Sequence, residues 1–380
     1  LLWKARVTPD RDARAVPRVA AGSITVLRLY DVAYAIDLPR VEMLCAASAP
    51  TERIRLATAQ PKAITFGVPP VEISLGGVTL TTGEGDLIAE ATARVYDFGA
   101  LSLALRVPVH DVPWTGLIEK VRRVESTLGG SSSDQWSALL GRVRTLIGPA
   151  MERPSPAALE EDYLLTAVQR FDREVTGDDV LRELDLPTLL AREDGPLSQP
   201  ARRELLRQSF TYYTNDLVVL TWDHAFILEP SGESDVADVL EVANAQLLEL
   251  RYYDELLDAE LPRMYDRVQG ARAAFGGLAR RRYANLAREL YTLVAEVTEI
   301  SERIENALIV TEDVYLARIY GAALELFRVS AWNAGVERKL AIIRDTYQGL
   351  FEEAATVRAE YLEAAIVLLI VLELVLAFVL

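Results

Sequence analysis

The chain has 380 residues, with 56 Asp and Glu against 40 Lys and Arg, and a formal charge of −16. That balance argues against a nucleic-acid partner, because phosphate neutralisation needs a basic face. A content of 51% hydrophobic and 25% charged residues describes an ordered chain with room for two or three domains, and the single cysteine, Cys45, excludes an intrachain disulfide and a cysteine-based zinc cluster.

The opening LLWKARV carries neither Met nor the charged-then-apolar pattern of a secretory leader. Residues then follow period two, with β-branched runs. SITVLRLYDVAYAID, RIRLATAQ, AITFGV, VEISLGGVTLTT and LIAEATARVYDFGALSLALRVPV read as strands, with turns at Gly76–Gly77 and near Asp97–Gly99. A helix is expected from about Trp114. STLGGSSSDQ breaks the helical stretch, and GPAMERPSP reads as a linker. Beyond it come a strand YLLTAVQRFD, short helices around Val180 and Arg203, and a hairpin FTYYTNDLVVLTWDHAFIL. That hairpin echoes ARVYDFGALSLAL: an aromatic strand, a polar turn, then an apolar strand.

Chemistry-bearing residues are scarce in this half. His110 and His224 are the only histidines. Asp223 and His224 are adjacent, so on a strand they point to opposite faces, which is wrong for a catalytic dyad; a structural or surface role is the reading for His224. There is no P-loop, glycine-rich dinucleotide fingerprint, nucleophile elbow or two-histidine zinc motif. No catalytic residue, cofactor site or metal site is assigned, and the chain is read as a non-enzyme.

From residue 234 the period changes to 3.6. In SDVADVLEVANAQLLELRYYDELLDAELP, Ser234 is the expected cap and Pro262 the stop. The acidic residues Asp254, Glu255, Asp258 and Glu260 suit either a divalent-cation site or a solvated, salt-bridged face, the second being the ordinary outcome. A 3–4 seam follows through Ala279, Leu286, Leu290, Val297 and Ile304. A second, through Ile319, Ala322, Leu326, Val329, Asn333, Val336, Leu340, Ile343, Tyr347 and Leu350, continues to Ala364. Its length is that of a coiled coil. LIVTEDV separates the two seams, and Thr311 is placed to cap a helix running on to Leu380, about 100 Å long. Asn333 falls at an a position, where a buried Asn fixes register and oligomer number. Gly321, Gly335 and Gly349, spaced by fourteen, share one stripe and suggest close approach by the preceding helix.

The end, Ala364–Leu380, has 17 residues and one charge. It rises about 26 Å, near the thickness of a bilayer core, and is apolar on every face. It therefore reads as a transmembrane tail anchor. Glu373 in its middle is costly in lipid unless protonated or paired, and so points to several copies meeting there.

ARVYDFGALSLAL, YTNDLVVLTWDHAFIL, DVLEVANAQLLELRYYDELLD and LEAAIVLLIVLELVL resemble, in that order, landmarks of the required-for-meiotic-nuclear-division family of mitochondrial and bacterial membrane proteins. The resemblance implies an α/β head, a helical C-terminal half, a terminal membrane helix carrying a Glu like Glu373, and an oligomer; it brings no catalytic residues. The plan also looks like that of CorA-type magnesium channels, but those have a Gly-Met-Asn loop and a second span that this sequence does not show.

The expectation is therefore an α+β protein: an α/β head with antiparallel strands, then long coiled-coil helices ending in one transmembrane helix. Its divisions are 1–150 (mostly β with helices), 151–232 (a second α/β subdomain), 233–363 (the stalk) and 364–380 (the membrane helix). The expected function is a homo-oligomeric scaffold or tether in the bacterial cytoplasmic or mitochondrial inner membrane, its head facing the compartment of synthesis. Its partners are a lipid bilayer and copies of itself. An ion-conducting assembly lined by Glu373 is the alternative.

Overall fold

The computed structural model describes residues 16–48, 64–129, 134–156, 159–191, 195–232, 235–272, 277–305, 308–310 and 313–379. In chain order these form β1 (Arg18–Asp31), β2 (Ala33–Ile36), α1 (Leu38–Ser48), β3 (Ile64–Phe66), β4 (Val71–Thr82), β5 (Gly85–Val95) and β6 (Ala100–Pro113). Then come α2 (Trp114–Leu128), α3 (Asp134–Ile147), a 3-10 turn, β7 (Met151–Pro154), β8 (Glu160–Phe171), α4 (Gly177–Glu183), α5 (Leu186–Leu190) and α6 (Gln199–Leu205). The remainder is β9 (Gln208–Phe210), β10 (Leu217–Leu220), β11 (His224–Leu228), α7 (Asp235–Arg272), α8 (Gly277–Glu305), β12 (Leu308–Val310), α9 (Val314–Leu326) and α10 (Val329–Val379). The chain divides into two compact units, Leu1–Asn244 with Ile309–Leu326, and Ala245–Leu308 with Phe327–Leu380.

The first unit is built on an eight-stranded sheet in the order β4-β5-β6-β1-β8-β11-β10-β9. Every neighbouring pair is antiparallel except β8 with β11. Period two sorts the side chains. Ile73, Ala89, Ala91, Ala93, Leu101, Leu103, Leu105, Ile24 and Val26 lie on one face and join the core with α2 and α3. α2 buries Leu117, Val121, Val124 and Leu128, and α3 buries Trp136, Leu139, Val143 and Ile147, both at helical spacing. Each such side chain contributes about 1.5–3 kcal/mol when fully removed from water. Trp136 Nε1 donates to the carbonyl of Leu128 (3.0 Å), tying α3 to the end of α2. Residues 18–113 and 160–228 thus contribute strands to one sheet.

Two turn readings change. Gly76–Gly77 is not a turn; with Gly76 at φ +84°, it sits at a register shift inside β4. The hairpin turn lies at Gly83–Glu84 instead, followed by Gly85 at φ +119°. Between β5 and β6, Gly99 is at φ +101°, and its carbonyl accepts the Val32 N–H (3.1 Å). A β-carbon there would lie 1.8 Å from the Ala33 carbonyl oxygen. The stretch read as a linker forms the 3-10 turn Gly148–Ala150 and β7, which pairs with β2. RIRLATAQ, Ser234 and Thr311 lie outside the described residues.

The second unit is helical, with α8 and α10 packed along each other. The 3–4 seams expected of a coiled coil are used within one chain: Leu286, Leu290 and Val297 of α8 and Val336, Leu340, Ile343 and Leu350 of α10 are buried, and Tyr291 meets Tyr347 at 5.9 Å. Two boundaries differ from expectation. α7 passes through Pro262 and ends at Arg272; proline removes one intrahelical hydrogen bond, which an exposed position tolerates. The final helix is not continuous from Thr311, because Phe327 and Arg328 interrupt it, Arg328 taking the left-handed conformation at φ +54°.

The transmembrane helix, the tail anchor and the membrane address are corrected here. Among the described residues no helix is long and apolar enough to cross a membrane. Glu363 and Glu373 bracket nine apolar residues of α10, a rise of about 14 Å against a hydrocarbon core of about 30 Å.

Gly99→Ala is expected to destabilise the protein by about 3 kcal/mol or more, since both the backbone angle and the Ala33 carbonyl oppose a side chain. Gly83→Ala, with open space around it, should stay within about 0.5 kcal/mol. Urea denaturation of the two variants checks the pair; equal effects would refute the close approach.

Candidate functional site

The face of β5 opposite the main core carries Arg94, which sequence reading did not single out. Alternation along the strand sends Ala89, Ala91 and Ala93 one way and Arg94 the other. There its Nη1 donates to Asp238 Oδ1 (3.0 Å) and Glu241 Oε2 (2.7 Å), and Nη2 donates to Glu72 Oε2 (3.2 Å) of β4. Asp238 and Glu241, three apart in the first turns of α7, share the helix face turned toward Arg94. One guanidinium therefore meets three carboxylates in a cluster that is mostly buried: the Arg94, Asp238 and Glu241 side chains are 19%, 12% and 9% exposed.

Burial pushes the Glu241 carboxyl above the usual carboxylate range, against the pull of Arg94. The Ser102 and Tyr96 hydroxyls stand beside it and favour its charged form. Burial, then the charge of Glu241, lifts the Tyr96 phenol well above its ordinary value. The arrangement pins α7 to the sheet. The guanidinium occupies the point on which the carboxylates converge, and no group of His, Cys, Asp or Glu able to hold a metal ion occurs among the described residues.

A second buried carboxyl, Asp31, ends β1 at 4% exposure. Ser155 Oγ donates to its backbone carbonyl (2.7 Å), and Arg144 Nη2 donates to the carbonyl of Ser155 (2.5 Å). Burial raises the Asp31 pKa to about 6, more than Ser155 and Arg144 lower it. His224 is fully buried rather than at the surface; its Nε2 lies 2.9 Å from Thr166 Oγ1, within the sheet. His110 lies at an exposed position of β6.

The residues singled out from the sequence do not form one site. Gly321 lies in α9 of the first unit; Asn333, Gly335, Gly349 and Glu373 lie in α10 of the second. Asn333 is half-buried, and its Nδ2 donates to Glu337 Oε1 of the same helix (3.4 Å). A β-carbon at Gly335 would meet Asp254 Oδ1 of α7 at 3.3 Å, whereas Gly321 and Gly349 face open space. Close approach thus occurs at one of the three glycines, and against α7 rather than the preceding α8. The acidic end of α7 is a salt-bridged face: Lys339 Nζ holds Asp254 Oδ1 (2.7 Å) and Asp258 Oδ1 (2.6 Å), and Arg263 holds Glu260 (2.6 Å). Glu373 is exposed.

Two expectations follow. Arg94→Met leaves Asp238 and Glu241 buried without their cation, and should cost about 3–5 kcal/mol at pH 7 by chemical denaturation; a loss below about 1 kcal/mol would show that the cluster does not hold α7. Asp31 binds its proton more tightly folded than unfolded. Its protonated form therefore adds stability that is complete below about pH 4 and is lost as pH rises through about 6, a term of about 3 kcal/mol. Asp31→Asn should flatten the fall in stability between pH 4 and 6, and an unchanged slope would contradict the assignment.

The family described as Uncharacterized protein MJ0711, N-terminal domain, matches residues 21–235, more than half of the chain. The match takes in the whole sheet from the body of β1 to β11, stops at the start of α7, and so includes Glu72 and Arg94 but not Asp238 and Glu241. Uncharacterized protein MJ0711 of Methanocaldococcus jannaschii is 30% identical over 193 residues, which are 50% of this chain and 58% of that protein. The chain therefore spans little more than half the length of this relative. No solved structure matches it. By the extent of the family match, the chain belongs to the family defined by the N-terminal domain of MJ0711.

Proposed function

We propose that the protein is a homo-oligomeric scaffold in which copies associate through the apolar end of α10, while the unit built on the eight-stranded sheet is left to hold a partner. The observation that carries this reading is a run of six consecutive apolar side chains, Ile366–Val371, each between 51% and 68% exposed. A helix turns about 100° per residue, so six in a row present apolar surface on every side. Burial of each would contribute about 1.5–3 kcal/mol, and a contiguous patch of this kind marks an association surface. A second copy offers the same segment, the self-complementary contact of a symmetric homo-oligomer. Glu363 and Glu373 border the segment and remain in water, where like charges on neighbouring copies limit how far the packed run extends.

Sedimentation velocity in detergent-free buffer tests this. The full chain should sediment as a discrete oligomer, and a Leu368→Glu, Leu369→Glu double variant as a 42.1 kDa monomer. A full chain that is monomeric in buffer, or that leaves solution only with phosphatidylcholine vesicles, would overturn the reading.

A further inference from the structure

The loop from β9 to β10, Thr211–Asp216, holds two tyrosines in solvent. Tyr212 is 66% and Tyr213 68% exposed, yet the loop beneath them is fixed. The carboxylate of Asp216, itself buried, accepts the backbone N–H groups of Tyr212 (2.7 Å) and Tyr213 (3.0 Å), and the Gly177 N–H donates to the carbonyl of Thr214 (2.9 Å). The two rings meet edge to face with centroids 4.8 Å apart. Tyr212 also lies 5.7 Å from the ring of Tyr315, in the first turn of α9. Tyr315 is held in turn: its hydroxyl reaches the carbonyl of Phe210 (3.5 Å), and its N–H donates to Asp313 Oδ1 (2.8 Å).

The charge around this corner is acidic. Burial raises the Tyr315 phenol above its ordinary range, and Asp216, Glu229 and Asp313 add to the rise while Arg318 opposes it. Arg318 already lies over an aromatic face, with its guanidinium 5.7 Å from the centre of the Phe210 ring.

We propose that Tyr212, Tyr213 and Tyr315 form a binding corner for a cationic side chain of a basic peptide, arginine before others. The faces of aromatic rings are electron-rich and attract a cation within about 6 Å of the ring centre. A guanidinium is planar, weakly hydrated and able to stack, so it suits two exposed rings set at right angles better than a compact ammonium does. The carboxylates around the corner, and the net charge of −16 on the chain, draw such a peptide in and repel acidic ones. Preorganisation by Asp216 means that little freedom is lost on binding. Every residue named belongs to the first unit, so the proposal does not depend on how copies of the chain associate.

The test is titration of the full chain into fluorescein-labelled Gly-Arg-Gly-Arg-Gly at about 0.15 M salt, where exposed charges act over only about 8 Å. Anisotropy should saturate for the wild type. It should weaken by about fivefold to thirtyfold when both rings are removed in Tyr212→Ala, Tyr213→Ala, and change by less than about twofold for Tyr213→Phe, which keeps the ring. The same peptide with citrulline for arginine should not bind. Tyr213→Ala alone carries the test if the double variant melts early. Equal affinity of wild type and the alanine variants would reduce the effect to bulk charge and overturn the proposal, as would absence of binding at millimolar protein.

Discussion

Strand β1 is hydrogen-bonded along both edges, to β6 from Arg18 to Asp31 and to β8 from Val19 to Tyr30. No other contact joins so much of the first unit, since it fuses the β4–β6 meander to the β8–β11 group. A strand paired on both sides, with both faces covered, must satisfy every group it carries. β1 does so with Ile24 and Val26 toward one layer and Leu27 and Leu29 toward the other, all buried. Within the body of the strand the charged residue is Arg28, 2% exposed. Arg28 is tolerated because Nη1 lies 3.8 Å from Glu160, Nη2 donates to the carbonyl of Leu128 (3.3 Å), and the guanidinium sits 5.1 Å from the centre of the Trp136 ring. The strand thus fixes where α2 ends and α3 begins.

The second face of the sheet is governed by different physics. Where the first is an apolar layer, the second has at its heart a cation enclosed by more carboxylates than it can neutralise. Such clusters hold position more than they add stability, because desolvating the charges offsets most of their attraction. Burial raises the Glu241 carboxyl above its ordinary range, and the charge of Arg94 opposes that rise.

Much of this was legible from residue order. The alternation in ATARVYDFGALSLAL gives β5, the turn at Asp97–Gly99 and β6, and the apolar spacing after Trp114 gives α2. Other features were hidden for identifiable reasons. Paired glycines signalled a turn at Gly76–Gly77, but a bulge uses the same positive φ. The 3–4 seam keeps its phase across Phe327 and Arg328, so periodicity alone runs α9 and α10 together. The seam is packed against α8 of the same chain. Arg94 meets Asp238 across 144 positions, beyond any local pattern. The available signal was that Asp238 and Glu241 interrupt an otherwise apolar run at helical spacing, which asks for a cation among the strands.

The double pairing of β1 also sets an order of events during synthesis. Its first partner, β6, follows within about 80 residues, but its second, β8, is about 130 residues behind. At roughly 5–20 residues per second, one edge of β1 stays open for about six to twenty-six seconds on the ribosome. Long-range pairings of this kind are slow to close and leave strand edges unprotected meanwhile. The meander β4–β5–β6–β1 therefore assembles first, as a half-sheet with one raw edge, and the rest of the unit is added to a template that is already twisted and in register.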